Sequence, residues 1–377
     1  MKNYFLIIFC LFLLTAGFAQ SKNENWYNVK EYGAIGDGKT DDTEAIQKAI
    51  EEAAPKGGVI YFPAGHYISN TINAPNFVTF KGNSAWGYDG NNNGKTIVSP
   101  LNSEQPFLFN LDSAIGTRII GITLFGRDMG NEMHGIYSKH PGDEQNIVIE
   151  DCNIHDFSGS GIRLDNVWVF AIRRCLIKSN RLSGIDGSGS YDGWVIDNQL
   201  TANGRGGIYA TGFATITITA NRIEWNREGG IILEAGVVNT IQIDNCTFDR
   251  NFGPGISIVE PQRPFAIAIN GNIFRRNGFK QNEHPDLNCH LRLEGVKGVS
   301  FSGNSMFGGN HNRDKEIGNR PPAPGYAIVI KNLTESVIAN NSLYHAALKK
   351  LIVDKGGHSN LIIESNPGSL QQPFGID

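Results

Sequence analysis

The sequence is poor in charged residues and has no excess of basic ones. Lysine and arginine total 33 residues, aspartate and glutamate total 37, and the formal net charge is −4. A chain without surplus positive charge does not suit the phosphate backbone of a nucleic acid. The composition therefore predicts a protein that does not bind nucleic acids.

Long apolar runs are also scarce, and the clearest one lies at the start of the chain. Lys2 precedes an apolar stretch over residues 4–14, and a small residue, Ala19, follows shortly after it. The stretch is too short to cross a bilayer comfortably, and its flanks are typical of a secretory signal peptide. We expect residues 1–19 to be removed. The remaining domain, residues 20–377, is then exported to the periplasm or the extracellular space and has no transmembrane segment.

Cysteine is rare, with five residues in the chain. Cys10 falls in the apolar stretch, while Cys152, Cys175 and Cys246 each occupy a position of a repeat that asparagine fills in other units. A cysteine that alternates with asparagine in this way is expected to be a small buried side chain. No spacing of cysteine and histidine is typical of a zinc site.

Glycine is abundant, at 45 residues, and the middle of the chain repeats itself about every 23 residues. Each unit has an apolar residue, a cysteine or asparagine three positions later, and a second apolar residue two positions after that. The successive spacings are 23, 23, 23, 25, 26, 32 and 37, so the later units carry insertions. The marker residues are Cys152, Cys175, Asn198, Asn221, Cys246, Asn272, Asn304 and Asn341.

A second marker, glycine followed by isoleucine, runs in step with the first. It stands at Gly161, Gly184, Gly207, Gly230 and Gly255. A fixed period of this length predicts stacked structural units, and the intervening segments are short and rich in strand-forming residues. The pattern therefore predicts an all-β fold, a single-stranded right-handed parallel β-helix with three short strands per turn. Regular turns are expected from about residue 115 to about residue 365, with the cysteine or asparagine pointing inward at a bend.

The open end of such a coil needs a cover, because its strand edges are unpaired. Residues 41–54 have the periodicity of one amphipathic helix, in which small and branched apolar residues share a face. Thr40 or Asp41 is placed to cap its start. We expect this helix to close the N-terminal end of the coil.

Two N-terminal segments carry a resemblance to a known group of proteins. Residues 29–50 read VKEYGAIGDGKTDDTEAIQKAI, and residues 57–67 read GGVIYFPAGHY. Together they resemble the opening of the pectate-lyase-like superfamily, which includes polygalacturonases, rhamnogalacturonases, glucanases, carrageenases, polysaccharide lyases and phage tailspikes. The resemblance implies a parallel β-helix and a carbohydrate substrate, usually an acidic polysaccharide.

The catalytic signatures of individual members of that superfamily do not carry over. The consecutive aspartates, the Gly-His-Gly and the Arg-Ile-Lys of polygalacturonases are absent in that form, since Asp41 and Asp42 belong to the N-terminal motif. The Asp-Pro-His-Glu of mannuronan epimerases is absent as well. A site has to be argued from the repeat itself.

The strand that follows each marker glycine sorts its residues into inward and outward positions. The first and third residues, counted from the isoleucine, are apolar or small and are expected to point inward. The second and fourth positions point outward and form two polar columns. These columns bring together on one face the residues Arg163, Asp165, Asp186, Tyr209, Glu234, Arg292 and Glu294. Insertions before the same strand, at 126–134, 279–290 and 308–325, are expected to wall this face into a groove.

The excess of carboxylates at the centre of the groove favours a glycoside hydrolase acting on a polysaccharide. Asp186, Asp165 and Glu234 are the catalytic candidates, because Asp165 and Asp186 lie diagonally on adjacent turns, as the acid and base of an inverting glycosidase require. Asp186 is singled out because Gly187 and the small residues after it are expected to leave space around it. Arg163, Tyr209, Arg292 and Glu294 would bind the substrate, with Tyr209, and Trp194 or Trp225 nearby, stacking on sugar rings.

Two other functions remain open on the same residues. The first is a polysaccharide lyase or epimerase, in which Arg163, Tyr209 or Arg292 helps to remove a proton next to a uronate carboxylate. In a lyase, Asp165, Asp186 and Glu234 would hold Ca²⁺; no other metal or cofactor is indicated. The second is a non-catalytic β-helix that binds carbohydrate.

Overall fold

The computed structural model describes residues 25–85, 87, 94–140, 142, 144–279, 285–309 and 323–371. The expected signal peptide over residues 1–19 lies outside the described residues. The chain winds into a right-handed parallel β-helix, as the repeat predicts, and consecutive turns pair in parallel, in register. We call each turn a rung and its three strand stacks the first, second and third faces.

The first face is built from the strands that follow the glycine markers. Two long strands, Ile185–Ile196 and Gly206–Thr219, begin on this face and bend onto the second face. The other strands of the first face are Ile72–Asn73, Phe107–Asn110, His134–Lys139, Ile162–Asp165, Gly229–Glu234, Ile256–Val259, Cys289–Glu294, Tyr326–Lys331 and Lys350–Asp354.

The second face precedes the cysteine and asparagine markers, and the third face follows them. The second face also contains Trp26–Asn28, Gly58–Phe62, Val78–Gly82, Arg118–Ile120, Glu144–Glu150, Trp168–Arg173, Val237–Asp244, Gln262–Asn270, Val299–Ser302, Thr334–Ala339 and Ser359–Glu364. The third face comprises Asp37–Asp41, Gly65–Ser69, Thr96–Pro100, Thr123–Phe125, Asn153–His155, Leu176–Lys178, Gln199–Thr201, Arg222–Glu224, Thr247–Asp249, Ile273–Arg275 and Ser305–Phe307. A pair formed by Leu343–Ala347 and Gly368–Leu370 extends it. Two short 3₁₀ segments are Val29–Tyr32 and Pro285–Leu287.

One α-helix, Thr43–Ala53, packs on the N-terminal end of the coil, as expected. Its buried face is the apolar stripe read from the sequence, including Ile46 and Ile50. Asp42 occupies the N-cap position without a side-chain bond to the helix, and the Asp41 carboxylate, one of the two expected caps, accepts from the backbone N–H of Thr43 at 2.9 Å. The Asp42 carboxylate instead accepts from the backbone N–H of Ile35 at 2.6 Å, so it anchors the loop before the helix.

The predicted marker ladder is present in the core. Asn198 Nδ2 donates to Asn221 Oδ1 at 3.0 Å, and the backbone N–H of Asn198 donates to the same oxygen at 2.9 Å. Cys152, Cys175 and Cys246 take the same position as free, buried thiols. Burial raises the pKa of Cys246 to about 11, so this thiol stays protonated and unreactive.

A second asparagine ladder runs through the bend before the first face, and the sequence analysis missed it. Asn203 Nδ2 donates to Asn226 Oδ1 at 3.0 Å, and Asn226 Nδ2 donates to Asn251 Oδ1 at 2.9 Å. His290 ends this ladder, with Nδ1 3.3 Å from Asn277 Nδ2. Its members are Asn180, Asn203, Asn226, Asn251 and Asn277. Buried amides that satisfy one another across rungs hold the start of the first face in register.

Candidate functional site

The predicted register of the first face is confirmed. Arg163 pairs with Asp186, and Asp186 pairs with Tyr209, so these three side chains form one outward column across three rungs. Asp165 lies two residues along its strand, opposite Ser188, and is therefore the diagonal neighbour of Asp186. The third-position residues between them, such as Leu164 and Ala210, are fully buried.

Arg163 lies between the two aspartates. Its Nε donates to Asp165 Oδ2 at 3.3 Å, and its Nη1 is 3.6 Å from Asp186 Oδ1 on the next rung. The Arg163 side chain remains 30% exposed, whereas that of Asp186 is 6% exposed. Burial alone would lower the pKa of Arg163, but Asp186 and Asp165 raise it above its ordinary value. The result is a fixed cation that faces the groove with carboxylates on two sides.

Asp186 is buried beneath this cation and is not open to the groove. Its Oδ2 accepts from Ser160 Oγ at 3.4 Å. Burial raises the pKa of Asp186 above its ordinary value, although Arg163 and Arg205 oppose the shift. The expectation that Gly187 opens space around Asp186 is wrong. Gly187 points inward, and a Cβ atom there would lie 1.9 Å from the ring of Phe213, so the missing side chain makes room in the core.

Two further residues, His134 and Tyr137, lie near Arg163, and neither was among the site residues predicted from the sequence. His134 Nδ1 accepts the backbone N–H of Ser160 at 2.9 Å, and burial lowers the pKa of His134 to about 4, so the imidazole is neutral. Tyr137 stands beside Arg163 on the preceding rung and stacks on Phe107. Burial and the charge of Asp165 raise the pKa of Tyr137.

A second cluster lies on the next rungs of the same face. Tyr209 Oη donates to Glu234 Oε1 at 2.7 Å, and Arg205 Cζ lies 3.1 Å from the centre of the Tyr209 ring. Burial and the bond to Glu234 raise the pKa of Tyr209 to about 12. Because Arg205 covers the ring and Tyr209 is 8% exposed, the expected stacking of Tyr209 on a sugar is wrong. Arg205 escaped the register argument because it precedes the strand.

The remaining two predicted residues form a third cluster. Arg292 Nη2 donates to Glu294 Oε2 at 2.9 Å, and Lys331 Nζ donates to Glu294 Oε1 at 2.7 Å. The bond from Lys331 and the bond from Arg292 lower the pKa of Glu294. Arg292 is three strand spacings from Tyr209, about 14 Å along the coil. The seven predicted residues therefore lie on one face, as expected, but in three separate groups.

The carboxylates do not form a calcium site. Asp165 and Asp186 contact Arg163, while Glu234 contacts Tyr209 and lies 3.8 Å from Arg205. Ca²⁺ needs several oxygen ligands directed at one point, and these oxygens are directed at cations and a phenol instead. Within the described ranges, no three His, Cys, Asp or Glu residues are grouped so that they could hold a metal ion.

Trp194 and Trp225 are not part of the groove. Trp194 projects from the second face, where it pairs with Ala171 and Thr217. Trp225 ends the third face, and the guanidinium of Arg250 lies over its ring.

Of the insertions expected to wall the groove, the one at 126–134 is described, whereas much of 279–290 and 308–325 lies outside the described residues. No described helix is long and apolar enough to cross a membrane.

Comparisons with known proteins point to one family. A family model described as "Rhamnogalacturonase A/epimerase, pectate lyase-like" matches residues 26–257. Mannuronan C5-epimerase AlgE5 of Azotobacter vinelandii is 28% identical over 276 residues, which cover 67% of this chain and 25% of that protein. The chain thus spans about a quarter of the length of this relative.

Solved structures give the same fold at low sequence identity. The A-module of mannuronan C-5 epimerase AlgE6 from Azotobacter vinelandii has a TM-score of 0.64 at 19% identity, covering 92% of this chain and all of that module. An exopolygalacturonase from Thermotoga maritima has a TM-score of 0.61 at 14% identity, covering 90% of this chain and 92% of that one. These neighbours place the chain among parallel β-helix proteins.

Proposed function

Since the chain belongs to the rhamnogalacturonase A/epimerase, pectate lyase-like family, we propose that it is an exported enzyme acting on a polysaccharide. We further propose that the groove of the first face removes the C5 proton of a uronate unit. Epimerisation or β-elimination then follows from the same carbanion. The observation that carries the proposal is the partly exposed guanidinium of Arg163, held between Asp165 and Asp186.

A fixed cation is what proton removal at C5 needs. The C5 proton of a uronate is acidic only when the negative charge of the adjacent carboxylate is neutralised, so that the electron pair can be delocalised onto it. Arg163 offers a guanidinium whose fork matches a carboxylate. The two aspartates face Nε and Nη1 of Arg163, and a guanidinium has five N–H donors, so other N–H groups remain for a substrate carboxylate. Arg163 can therefore bind a substrate carboxylate while it contacts both aspartates.

We assign the proton transfer at C5 to Asp165 and Tyr137. Asp165 lies on the same strand as Arg163, Tyr137 lies beside Arg163 on the preceding rung, and the side chain of Asp165 is 21% exposed. Asp165 would accept the C5 proton from one side of the sugar ring, and the Tyr137 hydroxyl would donate a proton from the other side. Return of a proton to the opposite side of C5 gives the epimer. Cleavage of the bond from C4 to the glycosidic oxygen, with the Tyr137 proton passing to that leaving oxygen, gives an unsaturated uronate instead.

A glycoside hydrolase is the second candidate, and one observation favours it. The raised pKa of Asp186 is the property that a general acid needs. Two features of the geometry weigh against this role. Asp186 lies beneath Arg163 and Ser160, and the guanidinium fills the gap between the two carboxylates where an inverting enzyme holds its water. The similarity to relatives named mannuronan C5-epimerase also favours proton removal at C5 over hydrolysis.

Product analysis separates these reactions. The full exported chain is incubated with polymannuronate, polyguluronate and polygalacturonate. A change in the uronate composition by proton NMR without new reducing ends is the expected result of epimerisation. Ultraviolet absorption from unsaturated ends identifies elimination. New reducing ends without either signal would overturn the C5 proposal and favour hydrolysis.

A further inference from the structure

A trough on the second face lies away from the groove and is used by neither of the reactions above. It encloses about 430 Å³ and is lined by four consecutive strands. Its walls and floor include Asp192, Trp194, Thr215, Thr217, Thr240 and Gln242. Two of these strands, Ile185–Ile196 and Gly206–Thr219, also carry Asp186 and Tyr209 on the first face.

The trough follows from a bend that recurs at the same place on each rung. Asp192, Thr215, Thr240 and Ala266 all have φ between 51° and 56°, in the left-handed region. A β-branched residue is rarely found there, so the bend at the two threonines is built against local preference. Four stacked bends make a continuous trough along the coil, spanning three strand spacings or about 14 Å.

The side chains two residues after each bend form one column that begins with the largest of them. Trp194 is followed in the same column by Thr217, Gln242 and Ala268. The tryptophan is 45% exposed and stands as a wall at one end, while the shorter side chains form the floor. An exposed indole face beside hydroxyl and amide groups offers both an apolar surface and hydrogen-bonding partners.

The charge of the trough differs from that of the groove on the first face. Asp192 is the only charged residue among the described residues that line the trough, and no lysine or arginine is among them. A polyuronate chain, with a carboxylate on every unit, would meet no cation here. A neutral sugar has hydroxyl groups for the threonines and glutamine, and its ring has an apolar face for the indole.

From this arrangement we propose that the trough is a second carbohydrate-binding site, which takes a short segment of a neutral oligosaccharide. Trp194 stacks against a sugar ring at one end. Thr217, Gln242 and Thr240 hydrogen-bond to hydroxyl groups along the floor. The site would bind one type of glycan while the first face processes another, and its binding does not depend on Arg163.

Affinity electrophoresis of the full chain tests the proposal. Native gels contain hydroxyethyl cellulose, laminarin or galactomannan as neutral probes, and alginate or polygalacturonate as anionic ones. Retardation of the wild-type protein by at least one neutral probe is expected, and calorimetry with the matching oligosaccharide gives its Kd. Trp194→Ala should raise that Kd about tenfold, and Trp194→Phe should raise it less because a ring remains.

Trp26→Ala is the matched control, since Trp26 is 41% exposed on the same face near the N-terminal end. It should be retarded like the wild type, as should Arg163→Ala, whose loss of C5 chemistry would not touch the trough. Gln242→Ala provides a second variant of an exposed lining residue. Absence of retardation by every neutral probe overturns the proposal. Equal retardation of the Trp194→Ala protein, or retardation by anionic probes alone, does so as well.

Discussion

Nη1 of Arg163 lies 3.6 Å from Oδ1 of Asp186, across the gap between two adjacent rungs of the coil. Asp165 binds the same guanidinium from its own strand, at 3.3 Å. The two carboxylates that looked like a catalytic pair in the sequence therefore act first on an arginine. This relationship changes the role of Asp186 from a group that meets the substrate to one that positions Arg163.

Replacing Arg163 should abolish most of the activity without unfolding the protein. Arg163→Ala removes the cation that would bind the uronate carboxylate, so we expect kcat/KM on the preferred polyuronate to fall about 100-fold or more. Arg163→Lys keeps the charge but loses the planar fork, and should recover only part of the rate. Rates are followed by the proton NMR assay. Near-wild-type turnover in Arg163→Ala would rule out its assigned role.

Two of the buried histidines, His134 and His290, should make the fold sensitive to acid. Burial lowers the pKa of His134 from 6.5 to about 4 and that of His290 from 6.5 to about 3. Below pH 6.5 these histidines bind protons in the unfolded chain but stay neutral in the folded chain. The free energy of unfolding therefore falls as the pH falls toward 4. Each histidine contributes a slope of up to about 1.4 kcal/mol per pH unit.

His290→Asn tests the larger of these two contributions, because asparagine does not titrate and could continue the ladder from Asn277. Urea unfolding is measured between pH 7 and pH 4 for the variant and the wild type. The stability of His290→Asn should decline less steeply. Parallel curves for the two proteins would show that His290 is not held neutral in the folded state.

The asparagine ladder should carry a large share of the stability of the central rungs. Asn226 accepts from the backbone and side chain of Asn203 and donates to Leu200 and Asn251. Asn226→Ala leaves several buried polar groups without partners, at a cost of about 3 kcal/mol in the free energy of unfolding. Asn239→Ala, on the partly exposed second face, is the control and should cost well under 1 kcal/mol. If urea unfolding showed the same loss of free energy of unfolding for Asn226→Ala and Asn239→Ala, the ladder would not have the stabilising role assigned to it.

Gly187 should tolerate no side chain unless the core opposite it is made smaller. A Cβ at this position meets the ring of Phe213 at 1.9 Å, so Gly187→Ala should lower the melting temperature by several degrees. The double variant Gly187→Ala with Phe213→Leu should lose less than the sum of the two single changes. Strict additivity in thermal unfolding would mean that the two residues do not compete for the same space.

The sequence was sufficient for the fold because the repeat reports directly on stacking. Markers such as Asn198 and Asn221 are spaced by one rung, and strand alternation then separates Leu164 from Asp165. The same period would have revealed the second ladder, since Asn180, Asn203 and Asn226 are each 23 residues apart. That signal was present and was overlooked because only one marker of the bend was followed.

The site was predicted less completely because side-chain pairing is not periodic. Register placed Arg163, Asp165 and Asp186 on one face but could not show that the arginine lies between the aspartates. Arg205 lies in the bend before its strand, outside the columns. The space expected beside Asp186 was assigned to the wrong side, because a glycine does not reveal whether the missing side chain faces the core or the solvent.

The exchange of the C5 hydrogen with solvent tests the central claim most directly. Polymannuronate, polyguluronate and polygalacturonate are each incubated with the wild-type chain in D₂O, recovered, and examined by proton NMR at the H5 position. The account predicts loss of the H5 signal in at least one polymer, and no loss with Arg163→Ala. Cleavage of a polymer into chains with new reducing ends and fully retained H5 would contradict it.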